Sequence, residues 1–235
     1  MTRYFDAHCH LSDTPELPFD PSKFAGVICN ATNVSQWHDI VTMTRARPNV
    51  FGAIGIHPWE IDTANSDWAD ILYRTLAATP GLMVGEIGLD KNYPDMPTQQ
   101  HVFRQHLNIA SRLSRIVHIH CVGAWDCMFA TLNSLEKLPP AILFHGYSGG
   151  APQIKMLSER YNAYFSYGPR ALRGGVRSVA RIINTPRSRL LTESDSCTPD
   201  IVIDVTNKIA DILNLDTGHL ADIICQNSQR MLANG

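Results

Sequence analysis

The sequence contains no apolar run approaching the ~20 residues that a bilayer-spanning helix needs. Met1-Thr2-Arg3-Tyr4 leads straight into a strand-like segment, without the charged, apolar and cleavage regions of a signal peptide. The expectation is a cytoplasmic protein with no membrane partner. Net charge is also scarce: 20 Lys+Arg against 22 Asp+Glu leave −2. No global field draws the chain to nucleic acid, so a polyanion has to be held by local charges or by metal. The six cysteines (9, 29, 121, 127, 197 and 225) form no C-x-x-C pair. Most fall inside apolar segments, and they read as reduced, small core residues rather than as a disulfide frame. No linker, internal repeat or low-complexity stretch interrupts the 235 residues, 44% of them hydrophobic. That pattern predicts a single domain.

Short β-like runs alternate with longer helical ones. The strand candidates are residues 4–11, 26–30, 51–56, 83–89, 116–121, 141–145, 163–167 and 189–194. Several are nearly continuous apolar runs, as expected where both faces of a sheet are covered. Helical patterns occupy 35–45, 67–78, 98–113, 124–138, 152–161, 176–184, 200–215 and 217–232. Eight strands separated by helices predict parallel β-α units and an α/β fold of the (β/α)8 TIM-type barrel class. A doubly wound open sheet is the alternative, but no G-x-G-x-x-G follows the first strand. The first βα connection breaks the rhythm. Residues 12–23 hold Pro15, Pro18 and Pro21, too many for a full helix, which predicts a shortened connection.

Sites on such barrels form at the C-terminal strand ends, and ligand-type residues gather there. The first strand ends in His8 and His10, on the face that also carries Asp6. The third runs into His57-Pro58, the fourth carries Glu86 and Asp90, and the fifth ends in His118 and His120. The sixth ends in His145 and the eighth in Glu193 and Asp195. A lone histidine at a strand end is more often a hydrogen-bonded core residue than a ligand. Glu86 is different, because a carboxylate inside an apolar strand is costly unless it is paired or bound to metal. His118 reads as lying one layer deeper than His120, a supporting or packing residue. Asp6 and Glu193 read as supporting residues too, Asp6 placed to orient a ligand imidazole. His38, His101, His106 and His219 lie in helical segments and are assigned no role.

Taken together these residues resemble the TatD-like metal-dependent hydrolases (the TatD DNase family), within the wider amidohydrolase-type barrels. Asp6-Ala7-His8-Cys9-His10 matches the family's D-x-H-x-H, Gly55-Ile56-His57-Pro58 its G-x-H-P, and residues 85–90 its G-E-x-G-L-D. His145-Gly146-Tyr147-Ser148-Gly149 matches H-x-[FY]-S-G, Glu193-Ser194-Asp195 matches E-T-D, and Asn227 falls at the family's late asparagine. The family's I-H-x-R is met by Ile119-His120-Cys121-Val122, with valine in place of the arginine.

The resemblance implies two divalent ions, sometimes joined by a third, with zinc, magnesium, manganese and nickel all compatible. It places His8 and His10 on one ion and His120 and His145 on the other. Glu86 bridges them, and Asp195 is ligand and general base. The implied activity is phosphodiester hydrolysis by a hydroxide held between the ions, as a deoxyribonuclease acting on single-stranded DNA ends. His57, Arg170 and Arg173 are the expected substrate contacts, the two arginines following strand seven and replacing the missing one. Two other readings keep the same residues. One is an ester, amide or aminoacyl-tRNA hydrolase. The other is a degenerate metal-binding partner protein in a defence or repair assembly. No protein partner is indicated.

Overall fold

The computed structural model describes residues 2–11, 20 and 22–235. Eight strands follow in chain order: β1 (Tyr4–Cys9), β2 (Phe24–Asn30), β3 (Val50–Ile54), β4 (Met83–Asp90), β5 (Val117–Val122), β6 (Ile142–Phe144), β7 (Ala163–Tyr167) and β8 (Leu190–Thr192). Each pairs in parallel with the next, so spatial order equals chain order. The ends of the sheet meet just past β8. The Asp195 amide donates to the His8 carbonyl at 3.0 Å, and the His10 amide donates to the Ser196 carbonyl at 3.0 Å. The expected barrel is therefore present and nearly closed.

Nine helices wrap it among the described residues: α1 (Trp37–Ala46), α2 (Trp68–Ala78), α3 (Met96–Leu113), α4 (Trp125–Asn133), α5 (Gln153–Arg160), α6 (Pro169–Leu172), α7 (Gly175–Asn184), α8 (Ile201–Leu213) and α9 (Thr217–Leu232). The connection expected to be short and proline-rich lies, at residues 12–19 and 21, outside the described residues. Two helices differ from the sequence reading. α4 ends at Asn133 rather than 138, and a short α6 begins right after β7, where Pro169 pre-sets the first turn.

β4 is buried along all eight residues, as a strand covered on both faces must be. It packs under α3, whose inward side carries Val102, Phe103, Leu107 and Ala110. α3 starts where Asp95 accepts hydrogen bonds from the Thr98 amide and hydroxyl at 3.1 and 2.6 Å, satisfying donors the helix leaves open. Two glycines let β4 run close to its neighbours. At Gly88 (φ +151) a Cβ would lie 1.8 Å from the His120 carbonyl oxygen, and at Gly85 one would lie 2.6 Å from the His118 Cβ. Asn227, on α9, donates to the carbonyls of Arg187 and Leu190 at 2.6 and 2.9 Å. The late asparagine thus latches the last helix to the start of β8.

His106 belongs to this shell and not to the site. It is buried, stacks on Trp68 at 4.3 Å, and shares a hydrogen bond with the Val102 carbonyl at 2.8 Å. Burial pushes its pKa down to about 4 from 6.5. The unfolded chain takes up this proton near 6.5 and the folded chain near 4, so stability is lost as pH falls through that window. Between pH 7 and 5 the wild type is expected to lose about 2 kcal/mol more than His106→Leu. Urea unfolding of both at the two pH values checks it. Equal losses would remove His106 as the source.

Candidate metal centre

His8, His10, Glu86, His120, His145 and Asp195 come together at the C-terminal mouth of the barrel, and Glu86 is the common point of the imidazoles. Its Oε1 lies 3.0 Å from His120 Nδ1, 2.8 Å from His145 Nε2 and 3.2 Å from His57 Nε2. Its Oε2 lies 3.2 Å from His8 Nε2 and 3.7 Å from His10 Nε2. Asp195 completes the ring, with Oδ1 3.4 Å from His10 Nε2 and 4.0 Å from His8 Nε2. It stands on a left-handed backbone (φ 48) that turns its carboxylate back over the mouth.

The outer hydrogen bonds of the imidazoles decide which nitrogen faces inward as an acceptor. His10 Nδ1 donates to the Asn30 carbonyl at 3.1 Å, leaving Nε2 bare toward Glu86 and Asp195. His120 Nε2 donates to Asp90 Oδ2 at 3.2 Å, leaving Nδ1 bare toward Glu86 and His145. His8 Nε2 is buried and has no hydrogen-bond partner. Bare nitrogens and carboxylate oxygens converging at these distances repel one another unless protons or cations lie between them. The arrangement is that of a metal site whose ligands are oriented from behind. The donor set of imidazoles and carboxylates suits zinc, manganese or nickel, and the bridging carboxylate also suits magnesium. Groups of three potential ligands are His8-Glu86-His145, His8-His10-Asp195, His145-Glu193-Asp195 and, by distance alone, His57-Glu86-His120.

His57 behaves differently. Its Nδ1 accepts the Trp59 amide at 3.1 Å, so in the neutral ring the proton sits on Nε2. Burial lowers its pKa, which keeps that ring neutral. His57 therefore points an N–H at Glu86 and has no free nitrogen for a metal.

Without an ion, protons hold the cluster together. Burial opposes charge on His145, but the carboxylates of Glu86 and Glu193 outweigh it and raise its pKa well above 6.5. Burial likewise opposes charge on His10, and Asp195 with Glu86 raises it to about 9. Against burial, His145 with the other imidazoles around it holds Glu86 well below the usual carboxylate range, and His10 with His145 holds Asp195 at about 2. His8, buried beside His145, is pushed down.

The supporting residues are only partly those expected. Asp6 does not reach the His8 ring. Its Oδ1 accepts the amides of His8 and Ser194 at 3.2 and 2.9 Å, pinning β1 to the chain leaving β8. His118 is fully buried with both ring nitrogens unpartnered, 6.2 Å ring to ring from His8, which makes it a packing residue. Glu193 is held by the Ser166 hydroxyl and lies 3.7 Å from His145 Nδ1, an ion-pair distance rather than a hydrogen bond. Asp90 was assigned no role by sequence reasoning, although it closes the 85–90 motif. It accepts from the Asn92 amide at 2.8 Å and the Trp59 indole at 3.0 Å as well as from His120. Burial opposes its charge, but these donors outweigh it and lower its pKa. Arg170 lines both cavities of the mouth, one of about 260 Å³ with His10, His57, Trp59 and Asp195, the other of about 50 Å³ with Val122 and Gly146. Arg173 lines neither. It caps α6 one turn further on and points to solvent, so the expected second arginine is not delivered to the mouth. Arg181 is engaged instead with the Gly149 carbonyl at 2.7 Å.

Comparisons with known proteins point the same way. The sequence profile of the family described as TatD related DNase matches residues 5–233. A 3'-5' ssDNA/RNA exonuclease TatD from Citrobacter rodentium is 27% identical over 177 residues, or 73% of this chain and 66% of that protein. The chain thus spans about two thirds of the length of this relative. A metal-dependent hydrolase from Mycoplasma pneumoniae, described as uncharacterized, is 25% identical, covering 97% of this chain and 98% of its own. Among solved structures, YjjV, a TatD homologue from Escherichia coli K12, aligns with a TM-score of 0.85 at 20% identity over 98% of each chain. At that identity the likeness speaks for the fold.

Proposed function

This chain belongs to the TatD related DNase family, and from that premise we propose that it is a cytoplasmic nuclease, dependent on two divalent ions, that shortens single-stranded DNA. The observation carrying this reading is the convergence of bare imidazole nitrogens and two carboxylates on one point at the barrel mouth, with Arg170 beside it. His8 and His10 would hold one ion with Asp195, His120 and His145 the other, and Glu86 would touch both. Bound there, divalent ions supply Lewis-acid activation of water and offset charge on the phosphate.

The chain's own residues do the rest. Asp195 is the carboxylate of the ring whose side chain reaches solvent, at 26% exposure against 4% for Glu86. Neighbouring imidazoles outweigh burial and hold its pKa at about 2, so it is ionised at neutral pH; its place at the solvent edge of the ring is what suits it to take the proton of an attacking water and pass it outward. Arg170 stands on the cavity wall that Val122 leaves without a cation, and its guanidinium can hold a non-bridging phosphate oxygen through two N–H donors. The His57 Nε2–H supplies a further donor beside Glu86. Arg170 alone replaces the family's arginine, and Arg173 has no part.

A 5'-labelled single-stranded oligonucleotide is expected to shorten with Mg²⁺ or Mn²⁺, to stay intact with EDTA, and to shorten again once metal is restored. Turnover of carboxylic esters or aminoacyl-tRNA, with none of DNA, would move the function to ester hydrolysis at the same residues.

A further inference from the structure

Two large aromatic side chains stand in water at the mouth of the barrel: Trp59 is 46% exposed and Tyr93 39%. The other exposed large apolar residues among those described are aliphatic or methionine. The two rings stack on each other, centroids 5.0 Å apart and planes 25° from parallel. Trp59 also forms a wall of the 260 Å³ cavity that holds His10, His57, Glu86, Asp195 and Arg170.

The pair is held rigidly, and from two sides. The Trp59 indole donates to Asp90 Oδ2 at 3.0 Å, the same oxygen that takes the His120 proton. Its backbone amide donates to His57, and its ring meets the His57 ring edge-on at 4.5 Å. Tyr93 rides on a loop clamped by the buried Gln99. The Gln99 amide accepts from the Asp90 N–H at 2.8 Å and donates to the carbonyls of Asp90, Tyr93 and Pro94, each at 3.1 Å. An exposed tryptophan costs free energy in water. One fixed this firmly, sharing a cavity with an arginine and a metal-type centre, is built to receive a flat apolar surface next to an anion. A nucleotide is such a group, and every base offers a π-face whatever its identity.

We propose that the Trp59–Tyr93 stack is the platform for the unpaired base of a nucleotide flanking the cleaved phosphate, and that it sets the preference for single strands. In a duplex both faces of an interior base are already covered, so the platform has nothing to grip. The inference rests on the nuclease reading above and adds the residues that choose the strand.

The test pairs enzyme variants with oligonucleotides carrying an abasic residue at either position flanking the cleaved bond. Wild-type KM is expected to rise about tenfold on the abasic strand, and Trp59→Ala to show the same rise on the natural strand. The two changes should not add, because both remove one contact. Trp59→Phe keeps the ring and loses the indole N–H, so its KM should stay near the wild-type value even if kcat falls. Anisotropy of a labelled oligothymidylate bound to Asp195→Asn, with and without Trp59→Ala, reads the same tenfold without turnover. Suppose the wild type cuts natural and abasic strands with equal KM, or Trp59→Phe weakens binding as much as Trp59→Ala. The platform is then wrong and the nuclease reading stands, Trp59 serving only to position Asp90. If no oligonucleotide is cut or bound, both fail together.

Discussion

Asp195→Asn lowers kcat on single-stranded DNA by about 10³-fold while the fold survives. That is the expected result if the residue is, as proposed, both proton acceptor and metal ligand. Asparagine is the informative replacement. The position has φ 48, a left-handed conformation that asparagine tolerates far better than alanine, so backbone strain does not confound the kinetics. The Asp195 amide keeps its bond to the His8 carbonyl, and barrel closure is unaffected. KM should change little, because Arg170 and Trp59 are untouched. Steady-state kinetics with a thermal melt check the prediction. A variant retaining kcat within about tenfold of wild type would remove Asp195 from the role of base.

Glu86→Gln should act one step earlier, on metal content. The carboxylate touches four of the imidazoles within 3.2 Å, and a neutral amide offers neither its charge nor its second acceptor. Elemental analysis is expected to fall from two ions per chain to none, with DNA cleavage down by 10³-fold or more. The proton count gives an independent measure. In the ion-free chain His10 has its pKa raised to about 9 and His145 is raised as well, so both carry protons at pH 7. Metal ligands must be deprotonated, so ion uptake by the wild type releases protons, and affinity climbs with pH until about 9. Calorimetry in two buffers of different ionisation heat reads this directly. Uptake without proton release would contradict the assignment of His10 and His145 as ligands.

The sequence made the barrel legible because its period is simple: apolar strand, then amphipathic helix, seven times over after an irregular first connection. Of the inward residues, Glu86 was legible from the pattern alone, because a carboxylate that interrupts an apolar strand has to be compensated, whereas His8, His10, His120, His145 and Asp195 were legible through the family resemblance. What sits behind them was not. The Asn30 carbonyl that fixes His10 is backbone and leaves no residue-type signal. Asp90 stood in plain view within a recognised motif, but its bond to His120 depends on how closely β4 and β5 approach at Gly88. Asp6 was expected to steer an imidazole and instead ties two backbone amides, a distinction of ångströms that side-chain alternation along a strand cannot draw. Arg173 failed for a similar reason: the unforeseen α6 carries it one turn past the mouth. Trp59 carries no signal in the sequence, because exposure cannot be read from composition.

The seam between β8 and β1 also bears on biosynthesis. His8 and His10 are synthesised before Asp195, which is joined to His8 across that seam and follows all eight strands. A chain that ends before Asp195 lacks one carboxylate of the ring. On the proposed assignment the ring is completed in one late step, at a contact that spans most of the chain, and contacts of such sequence separation are the slow ones in folding. A chain built this way completes its candidate metal ring only as its barrel closes.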